Sequence, residues 1–492
     1  MELRAQRAEL FLWAAAIAVA AFGTYVMYDA VPGINWGSWT LAAAAGLFLF
    51  LRTAGPNTVW ITSAIAVVIA FGASITADPF IHALIVLSVI LFLALSMLLS
   101  SNPAVRRITA AFVVPAPVVA FATAIVEAIK RGVDALNLVR SERARSILRG
   151  VLITAPIVVI FALLLAVADP TFAEWRNSIR DLLTSWAFVP RTFFFAGMLA
   201  LTLGAYGFAQ RESAQAAFTV QPIESRKWLG ATERLILLGS IAALFWLFLA
   251  VQLSYFFGNL PHIAGSGVTF SDYARRGFAE LTVVASASVV LVLLSERFGR
   301  SEGREGMLRL ATIALIVGVL FLLASAFNRV LLYEDAYGYT TARLYAQCYM
   351  IVVAVALIAL GWEIRGTLEP SRLFRIAGLV ATAMLIVLIY WNHEAWIASR
   401  NIDRLATTGK LDVTYLTRDL SPNAVPTLIS RLASLPEPSR GELQRALTAR
   451  YTGRGKIFDR RWYEWNLRMD QAREALAGLG VPLEKLQPSQ PQ

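Results

Sequence analysis

Residues 80–100 read FIHALIVLSVILFLALSMLLS, a stretch with no Asp, Glu, Lys or Arg and with apolar side chains in every direction a regular backbone could point them. About 20 mostly apolar residues cross the hydrocarbon core of a bilayer as a helix. The period-two alternation of a membrane barrel strand is missing, and lipid accepts only a backbone that satisfies its own hydrogen bonds. The stretch is therefore a transmembrane helix. Working outward, similar runs fall at 9–28, 34–51, 58–76, 150–168, 188–209, 235–257, 277–295, 308–327, 345–362 and 373–391, so eleven spans are expected in all. The first run is too long for a cleaved signal peptide, and Tyr25, Met27 and Tyr28 do not form a small-residue cleavage site.

Composition agrees. Apolar residues make up 57% of the 492 and charged ones 16%, against about 25% charged in soluble domains; mean hydropathy is +0.61. A soluble enzyme, a disordered chain and a coiled coil are excluded. The single cysteine, Cys348, rules out an intramolecular disulfide and a cysteine-based structural zinc site. The expected fold is all-α: a polytopic transmembrane helix bundle over 1–391, a small extracytoplasmic α-helical domain over 392–486, and a frayed tail over 487–492.

The net charge of +11 is explained by placement. With the N-terminus in the cytoplasm, the inner segments hold 22 Lys and Arg, the outer loops 7 and the C-terminal tail 15, together the 44 of the chain. That asymmetry follows the positive-inside rule, and it adds attraction to anionic lipid headgroups on the cytoplasmic side. Nucleic acid is not needed as a partner. An odd number of spans puts the tail outside.

One apolar segment, 108–126, is interrupted by Pro115 and Pro117, each of which removes a backbone donor. Counting it as a span would move every later Arg-rich loop outside, so it reads as a re-entrant or interfacial hairpin followed by a basic cytoplasmic helix over 129–148. In the tail, 459–479 places Trp462, Trp465, Met469, Ala472, Leu476 and Leu479 at steps of three and four, the pattern of one amphipathic helix. Shorter helical patterns precede it at 394–406, 424–432 and 442–451, separated by Gly409, Pro422, Pro436 and Pro438.

Soluble-enzyme motifs fail on context. Gly299-Arg-Ser-Glu-Gly303 matches G-x-S-x-G literally, but that motif works on a strand-to-helix elbow, and here it lies in a charged loop between two spans. No phosphate-binding loop, metalloprotease motif or dinucleotide fingerprint occurs. The isolated His82, His262 and His393 do not suggest a metal, and no cofactor is implied.

The informative stretch is 333–345, Y-E-D-A-Y-G-Y-T-T-A-R-L-Y. Adjacent carboxylates Glu334 and Asp335 repel, so at least one needs a cation, an Arg or a proton. With Tyr337, Tyr339 and Arg343 they could take a cation, an amine or a sugar hydroxyl; alternatively the tyrosines form an aromatic belt at the headgroups and Arg343 neutralises the acids. Further polar residues fall on the same side: Asp272, Tyr273, Arg276 and Glu280 entering the eighth span, Asp169 ending the fifth, and His393 after the last. Arg276 and Glu280 have the i,i+4 spacing of a local ion pair. Together they suggest an outward-facing polar pocket roofed by the tail.

These residues also carry a resemblance. VQLSYFFG at 251–258, YARRGFAEL at 273–281 and LYEDAYGYTTARLY at 332–345 resemble a bacterial multi-pass membrane family catalogued as a domain of unknown function, the four-one-seven-three type with its four-one-five-three relatives. PGIN at 32–35, ADPTF at 168–172, and GKLDVTYL at 409–416 with SPNAVP at 421–426 agree with it. The resemblance implies a bacterial inner-membrane protein and no particular activity. The expected role is non-enzymatic binding of a small ligand or an envelope protein at the outer face, in sensing or envelope maintenance. A small-solute transporter and a membrane-embedded transferase acting on a lipid-linked substrate are the alternatives.

Overall fold

The computed structural model describes residues 2–51, 57–100, 110–136, 188–210, 227–257, 278–300, 303–366 and 369–483, together with positions 150, 154 and 158. Among the described residues there is no strand, only an isolated bridge between Leu229 and Gly299, and sixteen α-helices carry most of the chain. Eight of these helices are long and apolar enough to cross a membrane. They coincide with eight of the eleven expected spans. Two more expected spans form shorter helices, Ile34–Leu49 of 16 residues and Asn57–Phe71 of 15, and the run at 150–168 lies outside the described residues apart from positions 150, 154 and 158. The chain folds into two compact units.

The first unit holds α1 (Glu2–Met27), α2 (Ile34–Leu49), α3 (Asn57–Phe71), α4 (Pro79–Ser100), the short α5 (Ala110–Val113), α6 (Ala116–Leu136) and α7 (Phe188–Ala209), with the tail segment Asp459–Leu467. Helix α1 packs on α7, α3 on α4, and α6 on both α7 and α4. Pro115 and Pro117 stand at the start of α6, where a missing backbone N–H costs little. From there the helix runs unbroken to Leu136, so the expected hairpin and basic helix share one element across 126–129. Its Ala116, Ala120 and Ala124, spaced four apart, are buried. Residues 137–149 lie outside the described residues.

Two arginines are drawn into the helix packing by hydrogen bonds. Arg131 donates to both carboxylate oxygens of Glu9 at 2.8 and 2.6 Å, to Glu127 at 3.2 Å, and to Gly207 O and Gln210 Oε1 at 3.2 and 3.3 Å. A guanidinium fork can serve several acceptors at once, and here it staples α1, α6 and α7. In the second unit Arg234 is buried, donating to Glu296 at 2.5 Å and to Arg300 O at 3.3 Å.

At the end of the first unit that carries the α1–α2 and α3–α4 connections, the tail segment is held by long-range hydrogen bonds. Val31 N and Arg461 N both donate to the Glu464 carboxylate (3.1 and 2.9 Å), and Ile34 N donates to Trp465 O (3.1 Å). Asn466, 1% exposed, donates to Ala73 O and Thr76 O at 2.9 and 2.7 Å. Gly33 is required here: a Cβ would stand 2.5 Å from the Glu464 backbone. These bonds outcompete helix formation, so Trp462–Glu464 is a single 3₁₀ turn and the expected helix over 459–479 is confined to α16, Leu467–Gly478. Met469, Ala472 and Leu476 are buried as the periodicity requires, while Trp462 and Trp465 are 66% and 40% exposed.

The second unit comprises α8 (Ala231–Phe257), α9 (Phe278–Phe298), α10 (Glu305–Tyr337), α11 (Thr341–Arg365) and α12 (Pro370–Tyr390), followed by α13 (His393–Thr408), α14 (Val425–Arg431), α15 (Ser439–Tyr451) and α16. One apolar core runs through its long helices, from Leu238 and Phe245 of α8 through Leu315 and Leu322 of α10 to Leu357 and Leu360 of α11. Helix α10 has 33 residues, about 50 Å at 1.5 Å per residue against a hydrocarbon core of about 30 Å. It is therefore long enough to project beyond lipid. The shorter helices α13–α15 start close to the positions that the tail periodicity suggests.

Candidate functional site

The stretch 333–345 folds as the joint between α10 and α11. Helix α10 ends at Tyr337, and Gly338 takes φ +89° and ψ 169°, a region open in practice to glycine alone. A Cβ there would lie 2.5 Å from Asn401 Oδ1. Thr340 caps α11 by accepting from Arg343 N. Asn401 of α13 holds the turn from above: its Oδ1 accepts from Tyr339 N at 2.9 Å and its Nδ2 donates to Tyr339 O at 2.8 Å.

The carbonyls that end α10 would lack helical partners. Arg404 Nε donates to Asp335 O at 2.8 Å, Arg404 Nη2 donates to Ala336 O, and Arg343 Nη1 donates to Gly338 O. Cations at a helix C-terminus also offset its dipole. Arg343 lies over the Tyr333 ring, 4.2 Å from its centroid. Its bonds go to this backbone and to Tyr333, and its charge acts on the nearby Glu334.

The two carboxylates part company. Glu334 is buried and accepts from Gln347 Nε2 at 2.8 Å, whereas the Asp335 side chain is exposed. The pair is thus split between the interior and the surface. A cleft of about 230 Å³ opens beside the joint, lined by Tyr337, Tyr339, Thr340 and Arg343 together with Asn401, Arg404, Lys410, Asp412 and Tyr415. Tyr415 accepts from Thr341 N at 2.8 Å. Burial pushes both the Tyr415 and the Tyr339 phenol up from their ordinary range, so both stay neutral at physiological pH.

Of the expected site residues, Tyr337, Tyr339 and Arg343 line the cleft, and Glu334 and Asp335 flank it from the last turn of α10. His393 is 1% exposed and does not line it; its Nε2 pairs with Tyr345 OH at 2.9 Å and its Nδ1 with Leu388 O at 3.2 Å. Glu280 stands exposed in the first turn of α9. Asp169, Asp272, Tyr273 and Arg276 lie outside the described residues, as does Ser301 of the G-x-S-x-G match. Among the described residues no group of three His, Cys, Asp or Glu could hold a metal ion.

Residue-level reading of the sequence misses Asn401, Arg404, Lys410 and Tyr415. Asn401 has a legible signal, a polar residue inside the buried stripe Ile397, Ala398, Ile402 and Leu405 of α13. Lys410 and Tyr415 fall within the GKLDVTYL motif. The SPNAVP motif supplies a second network: the buried Glu394 carboxylate accepts from Ser421 N at 2.8 Å, from Ser421 Oγ, and from Asn423 Nδ2 at 2.7 Å.

No curated protein and no solved structure matches the chain significantly. A family model described as Domain of unknown function (DUF4153) matches residues 63–430, a region that contains every residue lining the cleft. The chain is thus a member of the DUF4153 family.

Proposed function

We propose that this protein is a non-enzymatic inner-membrane receptor that binds a small ligand or the exposed part of an envelope protein in the cleft beside the α10–α11 joint, on the outer side of the membrane. The observation that carries this reading is the convergence of α10, α11 and α13 on one polar cleft whose backbone is fixed from all sides by Asn401, Arg404 and Tyr415. A merely structural turn needs its carbonyls capped; it does not need the tyrosines and the lysine arrayed around an opening next to those caps. The positive-inside count assigns the α10–α11 joint to the outer side, and the tail packs on that joint, as an external tail would.

The test is genetic. In a deletion strain, a variant carrying Lys410→Ala and Tyr415→Phe is expected to reach normal abundance in the membrane and to reproduce the deletion phenotype. Full complementation by that variant would refute the assignment of the cleft.

A further inference from the structure

We infer that the cleft beside the α10–α11 joint is an oxyanion site, taking a phosphate or carboxylate group; this deepens the receptor reading above and rests on it. The sequence points to a cation, because Glu334 and Asp335 stand side by side. The geometry reverses the sign. Glu334 is turned inward to Gln347, and neither carboxylate lines the opening. The ionised side chains that do line it are Arg343, Arg404 and Lys410 against Asp412. The helix dipoles do not alter that balance, because the C-terminus of α10 and the N-terminus of α11 meet at the same place and their opposite partial charges of about half a unit cancel.

The donors are also held ready. Arg404 gives Nε and Nη2 to the end of α10, which fixes its plane and leaves Nη1 uncommitted. Arg343 is fixed in the same way through Nη1 and the Tyr333 ring. A guanidinium immobilised by part of its fork loses little further freedom when the remainder binds an oxyanion. Tyr415 accepts from Thr341 N and also shares a hydrogen bond with the Thr341 side chain, so its phenol is held in place at the edge of the cleft. Asp412 is engaged as a turn cap, accepting from Tyr415 N at 2.9 Å, and makes no ion pair with Lys410. The ammonium of Lys410 is exposed and has no hydrogen-bond partner among the described residues. At about 230 Å³ the cleft is smaller than the roughly 300–1,000 Å³ of pockets for drug-sized molecules, a size suited to a compact anionic group.

Such a group could be free in solution or be the headgroup of an anionic lipid, and calorimetry on the full chain in nanodiscs separates the two. Inorganic phosphate and glycerol 3-phosphate are titrated into protein held in phosphatidylcholine, and the titrations are repeated in phosphatidylglycerol. Saturable binding in phosphatidylcholine, weakened about tenfold or more by Lys410→Ala as the loss of one charge-assisted hydrogen bond requires and preserved in Lys410→Arg, supports a free oxyanion. A cryo-EM density in the cleft of the same nanodisc samples, seen only in phosphatidylglycerol and lost with Lys410→Ala, supports the headgroup. Lys410 is exposed on a loop, so its substitution leaves folding intact. Absence of both signals, binding indifferent to Lys410, or binding of calcium or choline in their place overturns the oxyanion assignment. If the genetic variant reproduces the deletion phenotype while no oxyanion binds, the receptor reading stands and only the ligand class fails; if that variant complements fully, the site itself fails.

Discussion

Gly338 shows how much a single position fixes. Its φ of +89°, and the 2.5 Å that would separate an added Cβ from Asn401 Oδ1, make Gly338→Ala strained in both backbone and contact. The cost is about 1–3 kcal/mol, to be read as a lowered unfolding temperature in detergent. The need for glycine is visible in Y-G-Y as a turn signal, but its partner Asn401 forms its bond to the turn across 62 residues of sequence, and no local pattern joins the two. Tyr415 gives a pH dependence of definite sign. Burial raises its pKa, Glu394 and Asp419 add to the shift, and the bond from Thr341 N opposes it. The folded state therefore holds the proton longer than the unfolded chain, whose phenol titrates near about 10. Its contribution to stability is complete below that pH and is lost as pH climbs through the folded value. Unfolding temperature should accordingly be insensitive to this group between about pH 6 and 9, and Tyr415→Phe should blunt the loss seen above about pH 10.

Among elements, the long apolar helices are legible because lipid imposes a simple rule on their side chains, and the eight of membrane-spanning length and apolarity lie where the runs predict. The tail is legible in its periodicity and illegible in its long-range bonds. Heptad-like spacing puts Trp462 and Leu476 on one helix face; the structure puts only Leu476 there, because Glu464 and Trp465 bond to the α1–α2 connection. Leu476→Ala, at a fully buried position, should cost about 2–5 kcal/mol, and Trp462→Ala, at an exposed one, within about 0.5 kcal/mol. A single continuous helix would make the two costs comparable. The turn from Leu420 to Asn423 is anchored on α13 by the Glu394 carboxylate, which accepts three bonds from Ser421 and Asn423. Glu394→Ala strands those buried donors and should cost about 3 kcal/mol, read as faster protease cleavage within the tail. Glu394→Gln, which keeps one acceptor oxygen, should fall between.

For the whole molecule, the membrane class follows from the apolar runs, and the expected sidedness follows from where Lys and Arg fall between them. The chemistry of the cleft is not readable this way, because its sign depends on which side chains turn inward: Glu334 does, Lys410 does not. Everything functional depends on that cleft facing outward. The direct measurement is made in intact spheroplasts expressing a Cys348→Ser protein with cysteine introduced by Lys410→Cys, treated with a thiol reagent that cannot cross the membrane. Labelling before permeabilisation is the expected result. Labelling that appears only after the membrane is opened would place the cleft in the cytoplasm and contradict the account.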